Sequence, residues 1–165
     1  MSQGLLSRLR LSAGLLRLGM NLWPPFVGAG IHILDIAPDF RSVTVRLRHG
    51  IFNRNYFGTH YGGSLFSMTD PFYALMLLHN LEHGYVVWDK AATIEFKSPG
   101  RSDVFARFSL SQAQIDDVRT QTADGGKYEP MWTVDVTDAA GNVVATVTKS
   151  LYIRRQRPSA KLGTS

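Results

Sequence analysis

The stretch NYFGTHYGGSLFSMTDPF, residues 55–72, holds glycines and an acid in a pattern suited to attack on a carbonyl carbon. Gly62 opens a long apolar run, and Asp70 interrupts that run directly before a proline. Backbone N–H groups at a helix start have no partner within the helix, so Gly62 could stabilise an oxyanion. Asp70 could deprotonate water or attack the carbonyl itself. A simpler interpretation makes Asp70 the N-cap of a second helix that begins at Pro71.

The spacing of these two residues predicts how such a site is assembled. Gly62 and Asp70 are eight residues apart, which is about 12 Å along one helix. Both groups would have to reach within about 3 Å of the same reacting centre. One chain cannot supply both, so we expect at least a homodimer in which Asp70 of one subunit faces Gly62 of another.

Neighbouring residues are candidates for orienting or binding a substrate, and most of them also have a structural interpretation. Asn55 could orient the water or the substrate, or it could form a turn by bonding its own backbone. His60 could be a base or bind substrate, although a lone histidine beside aromatic residues is more often a packed one. Tyr61 could donate its hydroxyl or line a pocket. Gly63 and Phe66 are further substrate-binding candidates.

The segment FKSPGR, residues 96–101, offers Lys97 and Arg101 as a cradle for phosphates or as ordinary solvated side chains. Asp89 and Lys90 are expected to face water on an edge strand. The five histidines show no convincing ligand spacing with acids, so we expect no metal and no cofactor.

The two ends of the chain are basic. Residues 1–22 are rich in Leu and Arg, contain no acid, and predict an amphipathic helix with Leu5, Leu9 and Leu16 turned inward. A mitochondrial transit peptide and an interfacial helix have the same composition. Residues 154–165 form a tail with four bases and no acid.

Apolar periodicity predicts the elements that position these residues. Two alternating strands come first, and a stretch that is apolar on nearly every side follows, which predicts a buried helix over about 62–81. Four more strands are expected at 85–96, 103–112, 131–138 and 142–153. The expected class is α+β, with a mostly antiparallel sheet wrapped around one long central helix. This is the hotdog architecture, and it would occupy residues 23–153.

Composition narrows the classes of function. The 165-residue chain has no cysteine, which excludes disulfides and a cysteine nucleophile. Its net charge of +5 belongs to the ends, because residues 35–153 carry 11 bases against 13 acids. We therefore expect no nucleic-acid partner, although the basic ends leave binding to nucleic acid or a membrane surface as a third hypothesis. No run reaches the roughly 20 apolar residues of a membrane span, and we expect a cytoplasmic protein.

The residues of 55–70 resemble the signature of hotdog-fold acyl-CoA thioesterases of the phenylacetic-acid-pathway type. Six positions of that signature are matched, by Asn55, Gly58, Gly62, Gly63, Phe66 and Asp70. The exception is the histidine of the signature, because Tyr61 occupies its place and His60 lies one residue earlier.

A second likeness is to an uncharacterised subgroup of that superfamily, labelled as a domain of unknown function. The chain shares with it Pro24-Pro25, GTHYGG, Asp70-Pro71 and the segment VVWDKAATIEFKSPG at 86–100. The resemblance implies active sites at a dimer interface, in a homodimer or a dimer of dimers. It also implies hydrolysis of an acyl-CoA, and we expect Asp70 as base or nucleophile, Gly62 as oxyanion donor and Asn55 as orienting group. The alternative is a hotdog protein that binds acyl groups without cleaving them.

Overall fold

Two short helices lead into the sheet. The computed structural model describes residues 11–156, so the predicted positions of Leu5 and Leu9 and most of the basic tail lie outside the described residues. Helix α1 spans Ala13–Asn21 and packs Leu16 against the core, as the sequence predicts. Helix α2 spans Pro24–Ala29, because proline is well suited to the first turn of a helix, where no N–H partner is needed.

Seven strands form one antiparallel sheet within the described part of the chain. The alternating apolar residues of each strand cover one face, which is why the strands pack around a central helix. The order across the sheet is β1, β2, β4, β6, β7, β3, with β5 also paired to β7. The strands are β1 (Ile31–Ile36), β2 (Ser42–Leu47), β3 (Tyr85–Phe96), β4 (Val104–Ser109), β5 (Lys127–Tyr128), β6 (Met131–Asp138) and β7 (Val143–Arg155).

The central helical segment is divided in two. Helix α3 spans Gly62–Ser67 and helix α4 spans Phe72–Asn80, with Asp70 in the link between them. Pro71 is the N-cap residue of α4 and no side chain caps this end, so Asp70 is not the N-cap. Helix α4 is buried against the sheet, and the predicted α+β hotdog class is confirmed. No helix in residues 11–156 is long and apolar enough to cross a bilayer.

Helix α5, Gln112–Gln121, is an element that the sequence prediction missed. The strand expected at 103–112 ends at Ser109, because Ser111 starts a helix instead. Its hydroxyl accepts a hydrogen bond from the Gln114 backbone N–H, and the Gln114 side chain accepts one from the Ser111 backbone N–H. This reciprocal capping box is the sequence signal, serine followed three residues later by glutamine, that marks the helix start.

Candidate active site

Six of the predicted site residues line two separate cavities of the chain, while Tyr61, Gly63 and Phe66 line neither. The first, here called the glycine cleft, has a volume of about 560 Å³. Its lining includes Asn55, His60, Gly62, Phe96, Lys97 and Arg101. The second, here called the aspartate pocket, has a volume of about 380 Å³. Its lining includes Asp70, Leu75, Leu78, Val87, Trp88 and Asp89. No described residue lines both cavities.

Gly62 presents backbone to the glycine cleft. It is the first residue of α3, and no described residue accepts a hydrogen bond from its N–H. The ring of Phe96 lies against it so closely that a Cβ at position 62 would be 2.9 Å from Phe96 Cζ. A side chain at position 62 would have to displace the Phe96 ring, which is 59% exposed, and the Gly62 N–H remains available to a ligand.

The amide of Asn55 is engaged within its own loop. Its Oδ1 accepts hydrogen bonds from the backbone N–H groups of Phe57 and Thr59, at 3.0 and 3.2 Å. Its Nδ2 donates to Thr59 Oγ1 and to the His60 carbonyl, at 2.9 and 3.2 Å. These are the contacts of a turn-forming asparagine, while its role in orienting a substrate stays a prediction.

His60 is a packed histidine at the edge of the glycine cleft. Only 3% of it is exposed, and its Nε2 lies 2.8 Å from the Ser102 carbonyl oxygen, to which it can donate. Burial lowers the pKa of His60, which favours the neutral ring. Gly100 makes room for this ring, since a Cβ there would be 2.9 Å from His60 Cδ2. This environment favours binding or packing over proton transfer.

The remaining predicted binding residues lie apart from one another. Tyr61 is 60% exposed, and its ring fills the space where a Cβ on Gly63 would be. Lys97 and Arg101 are exposed at the rim of the glycine cleft, with Lys97 paired to Glu95. Phe66 does not line that cleft. Its ring is 5.6 Å from Lys149 Nζ, beside the aspartate pocket.

Asp70 belongs to a cluster of three ionisable side chains. Lys149 Nζ lies 3.3 Å from Asp70 Oδ1 and 2.8 Å from Asp89 Oδ2. The Lys149 side chain is 1% exposed and that of Asp89 is 15% exposed, whereas the Asp70 side chain is 52% exposed. The cluster therefore has a buried ammonium at its centre and one carboxylate open to the solvent.

Strand register explains why two of these groups are buried. Val147, Lys149 and Leu151 are every second residue of β7, so their side chains point to the same buried face. On β3, the pairing with β7 shifts between Asp89 and Ala91. This bulge follows Asp89, which points to the buried face by ordinary alternation with Tyr85 and Val87.

The expectation that Asp89 faces water is therefore wrong. Lys90, at the bulge, does reach the outside, where its Nζ lies 2.6 Å from Glu129 Oε2. The sequence signal for the position of Asp89 is its spacing of two and four residues from the apolar Val87 and Tyr85, which face the core.

The buried environment changes the acidity of Asp89. Desolvation raises the pKa of Asp89 to about 6, and the neighbouring Asp70 carboxyl adds to this rise, while Lys149 opposes it. Lys149 Nζ lies 2.8 Å from Asp89 Oδ2, and its charge lowers the pKa of Asp89 by less than burial raises it. Asp89 thus titrates near neutrality beside the exposed carboxylate of Asp70.

The sequence prediction missed Lys149. Its signal is its register in NVVATVTKSLYI, because the residues two before and two after it are apolar and face the core. A lysine on the buried face of a strand is rare unless it is paired with an acid.

The arrangement in the aspartate pocket suits acid–base chemistry on an apolar substrate. Asp70 lies beside a pocket otherwise lined mainly by apolar side chains, where it can accept a proton from water or attack an acyl carbon. Within residues 11–156, no group of three His, Asp or Glu side chains is placed to hold a metal ion.

Comparison with solved structures places the fold among hotdog proteins. PA5026 from Pseudomonas aeruginosa, a protein of unknown function described as a probable thioesterase, has a TM-score of 0.76 at 23% identity over 87% of this chain and 95% of that one. The thioesterase HI1161 from Haemophilus influenzae has a TM-score of 0.65 at 15% identity, covering 92% and 96% of the two chains. The PaaI protein of the E. coli phenylacetic acid degradation operon has a TM-score of 0.58 at 18% identity, covering 86% and 91%.

The fold and the sequence together define the class of protein. The architecture of the chain is the hotdog fold of these thioesterase-like structures, as the resemblance implied. The chain belongs to the family described as a domain of unknown function, DUF4442, which matches residues 12–153. No curated protein sequence gives a significant match.

Proposed function

We propose that the protein is an acyl-CoA thioesterase that hydrolyses its substrate to a carboxylate and free CoA at a subunit interface. The observation that carries the proposal is the exposed carboxylate of Asp70 beside an apolar pocket, held by the buried Lys149. The unpaired N–H of Gly62 in the glycine cleft is the complementary group. A second subunit would bring the glycine cleft of one chain to the aspartate pocket of the other.

In the proposed reaction, Asp70 removes a proton from water as the water oxygen attacks the thioester carbonyl, or Asp70 attacks directly as a nucleophile. The Gly62 N–H stabilises the oxyanion, and collapse of the tetrahedral intermediate expels the CoA thiolate. In the base route the thiolate takes up the proton held by Asp70. In the nucleophilic route water then hydrolyses the acyl–Asp70 anhydride, which releases the carboxylate and restores Asp70. Asn55 orients the thioester, and Gly63 and Tyr61 border the oxyanion position. Lys97 and Arg101 receive the CoA phosphates at the cleft rim, and His60 supports that wall.

The apolar part of the aspartate pocket receives the acyl chain. Leu75, Leu78 and Val87 line it, and Phe66 lies close by on α3. No metal or cofactor takes part in this scheme, and the proposed partners are the acyl-CoA and a second copy of the chain.

The test is a thiol-release assay over a panel of aliphatic and aromatic acyl-CoAs. Asp70→Asn keeps the size of the side chain and removes the base, so we expect kcat to fall by about 100-fold or more, the usual effect of losing a general base. Asp135→Asn is the matched control, because Asp135 is an exposed carboxylate on β6 that bonds only Thr146. An Asp70→Asn protein as fast as the parent would refute the assignment.

A second candidate is an acyl-CoA-binding protein that does not cleave the thioester. It is favoured by the Asn55 amide, whose bonds are all made within its loop, and by the ion pair that occupies Asp70. Calorimetric titration with the same acyl-CoAs separates the two candidates. Tight binding without thiol release supports the second candidate, and binding with thiol release supports the first.

A further inference from the structure

The surroundings of Asp70 contain two ionisable groups that neither the family signature nor the comparisons assign. Asp89 comes from β3 and Lys149 from β7, whereas Asp70 is in the link between α3 and α4. The residues paired with Lys149 across the sheet, Ala92 and Trp132, carry no charge. Helix α3 contributes the Phe66 ring at 5.6 Å from Lys149 Nζ, and the aspartate pocket is lined by no ionisable residues other than the two acids.

We propose that Lys149 and Asp89 are positioning residues of the site. Lys149 holds Asp70 in place through Oδ1, and Asp89 is the counter-acid that retains the buried ammonium. The inference rests on the proposed function for its activity readout, and its electrostatic part can be tested without that function.

Burial is what makes the cluster more than a surface ion pair. Removing an ammonium from water costs several kcal/mol, and this cost is offset only when opposite charges and good contacts surround it. Asp89 alone, at 2.8 Å, could serve as the partner of Lys149. The ammonium nevertheless also reaches Asp70, whose side chain is half exposed beside the pocket. The buried charge therefore contacts a carboxyl group that a substrate can also contact.

The two acids also act on each other through this ammonium. Two carboxyl groups around one cation interact as a coupled pair, whose titration belongs to the cluster rather than to one residue. An opposite charge at this distance favours ionisation of a carboxyl group, and a like charge opposes it. Lys149 and Asp70 should therefore affect the pKa of Asp89 in opposite directions.

The experiment compares kcat and KM for the parent, Lys149→Met and Asp89→Asn. We expect kcat to fall by about 10-fold or more in Lys149→Met while KM stays near the parental value, because Asp70 loses the contact that holds it in place. We expect a smaller fall of kcat in Asp89→Asn, because Lys149 still reaches Asp70. Lys90→Met is the matched control for the lysine, since Lys90 is the neighbour of Asp89 in sequence but is exposed and paired to Glu129. Asp135→Asn is the control for the acid.

A parental kcat in Lys149→Met, or a fall no larger than that in Lys90→Met, would overturn the proposal. A residue with a structural role only would lower stability and leave the kcat of the folded protein unchanged. If Lys149→Met does not fold, the fall of kcat in Asp89→Asn, absent from Asp135→Asn, decides the question alone.

A second readout makes the outcome independent of catalysis. Carboxyl ¹³C signals are titrated in the parent, Lys149→Met and Asp70→Asn, and the signal that disappears in Asp89→Asn is assigned to Asp89. Its titration midpoint should rise in Lys149→Met, which removes the opposing cation, and fall in Asp70→Asn, which removes the neighbouring acid. A protein with no thiol release but with these opposite shifts would refute the proposed function and keep the cluster, whereas an active protein without the shifts would do the reverse.

Discussion

Asp89 couples the stability of the protein to pH. Its pKa is raised to about 6 from an ordinary value of 3.8, so the folded state binds the proton more tightly than the unfolded chain does. The resulting stabilisation is fully present below the unfolded pKa and is lost as the pH rises through about 6. Neutral pH therefore leaves a buried carboxylate whose ionisation opposes folding.

Asp89→Asn should remove this dependence. We expect the loss of unfolding free energy between pH 4 and pH 7 to be smaller in the variant than in the parent, by on the order of 1–3 kcal/mol. Urea unfolding followed by circular dichroism at both pH values measures the difference, and Asp135→Asn serves as the exposed control. Parallel pH dependences in the parent and in Asp89→Asn would contradict the raised pKa.

Among the elements, α5 owes its start to a local signal. Ser111→Ala removes the hydroxyl that accepts from the Gln114 N–H, and we expect a loss of about 1 kcal/mol in unfolding free energy. Ser42→Ala, at the exposed first residue of β2, should change it by less than about 0.5 kcal/mol. Equal unfolding midpoints for the two variants would show that the cap contributes nothing.

Elements differ in how far the sequence determines them. Alternation of apolar and polar residues located the main strands, because a strand buried on one face has apolar side chains at every second position. A run that is apolar on all sides located α3 and α4, because it is typical of a buried helix. The bulge at Lys90 leaves no such trace, since one extra residue reverses the alternation without changing composition. Asp70 and Gly62 could be singled out from their motif, but the partnership of Asp70 with Lys149 depends on pairing between distant strands.

If the proposed reaction is correct, a single chain does not contain a complete active site. β3 is an edge strand of twelve residues that pairs with β7 only, within the described residues, and the glycine cleft and the aspartate pocket are separate. We expect a homodimer or a multiple of it, with at least twice the 18.4 kDa mass of the chain in light scattering.

Subunit complementation tests the shared site directly. Gly62→Pro removes the proposed oxyanion N–H at a helix position that accepts proline, and Tyr61 already has the extended conformation that proline requires before it. Gly62→Pro and Asp70→Asn should each be nearly inactive. After subunit exchange between equal amounts, half of the dimers are mixed and each has one intact site, so about a quarter of the parental activity should return. Dimers that exchange without recovering activity would place both groups in one subunit.

The burial of Lys149 has a chemical consequence for the proposed thioester substrate. Thioesters are electrophiles that transfer acyl groups to accessible amines. Lys149 is the amine at the aspartate pocket, yet its Nζ is enclosed by two carboxylates and the Phe66 ring and is out of reach of an incoming electrophile. The lysine can therefore shape the charge of the pocket without becoming a target of self-acylation.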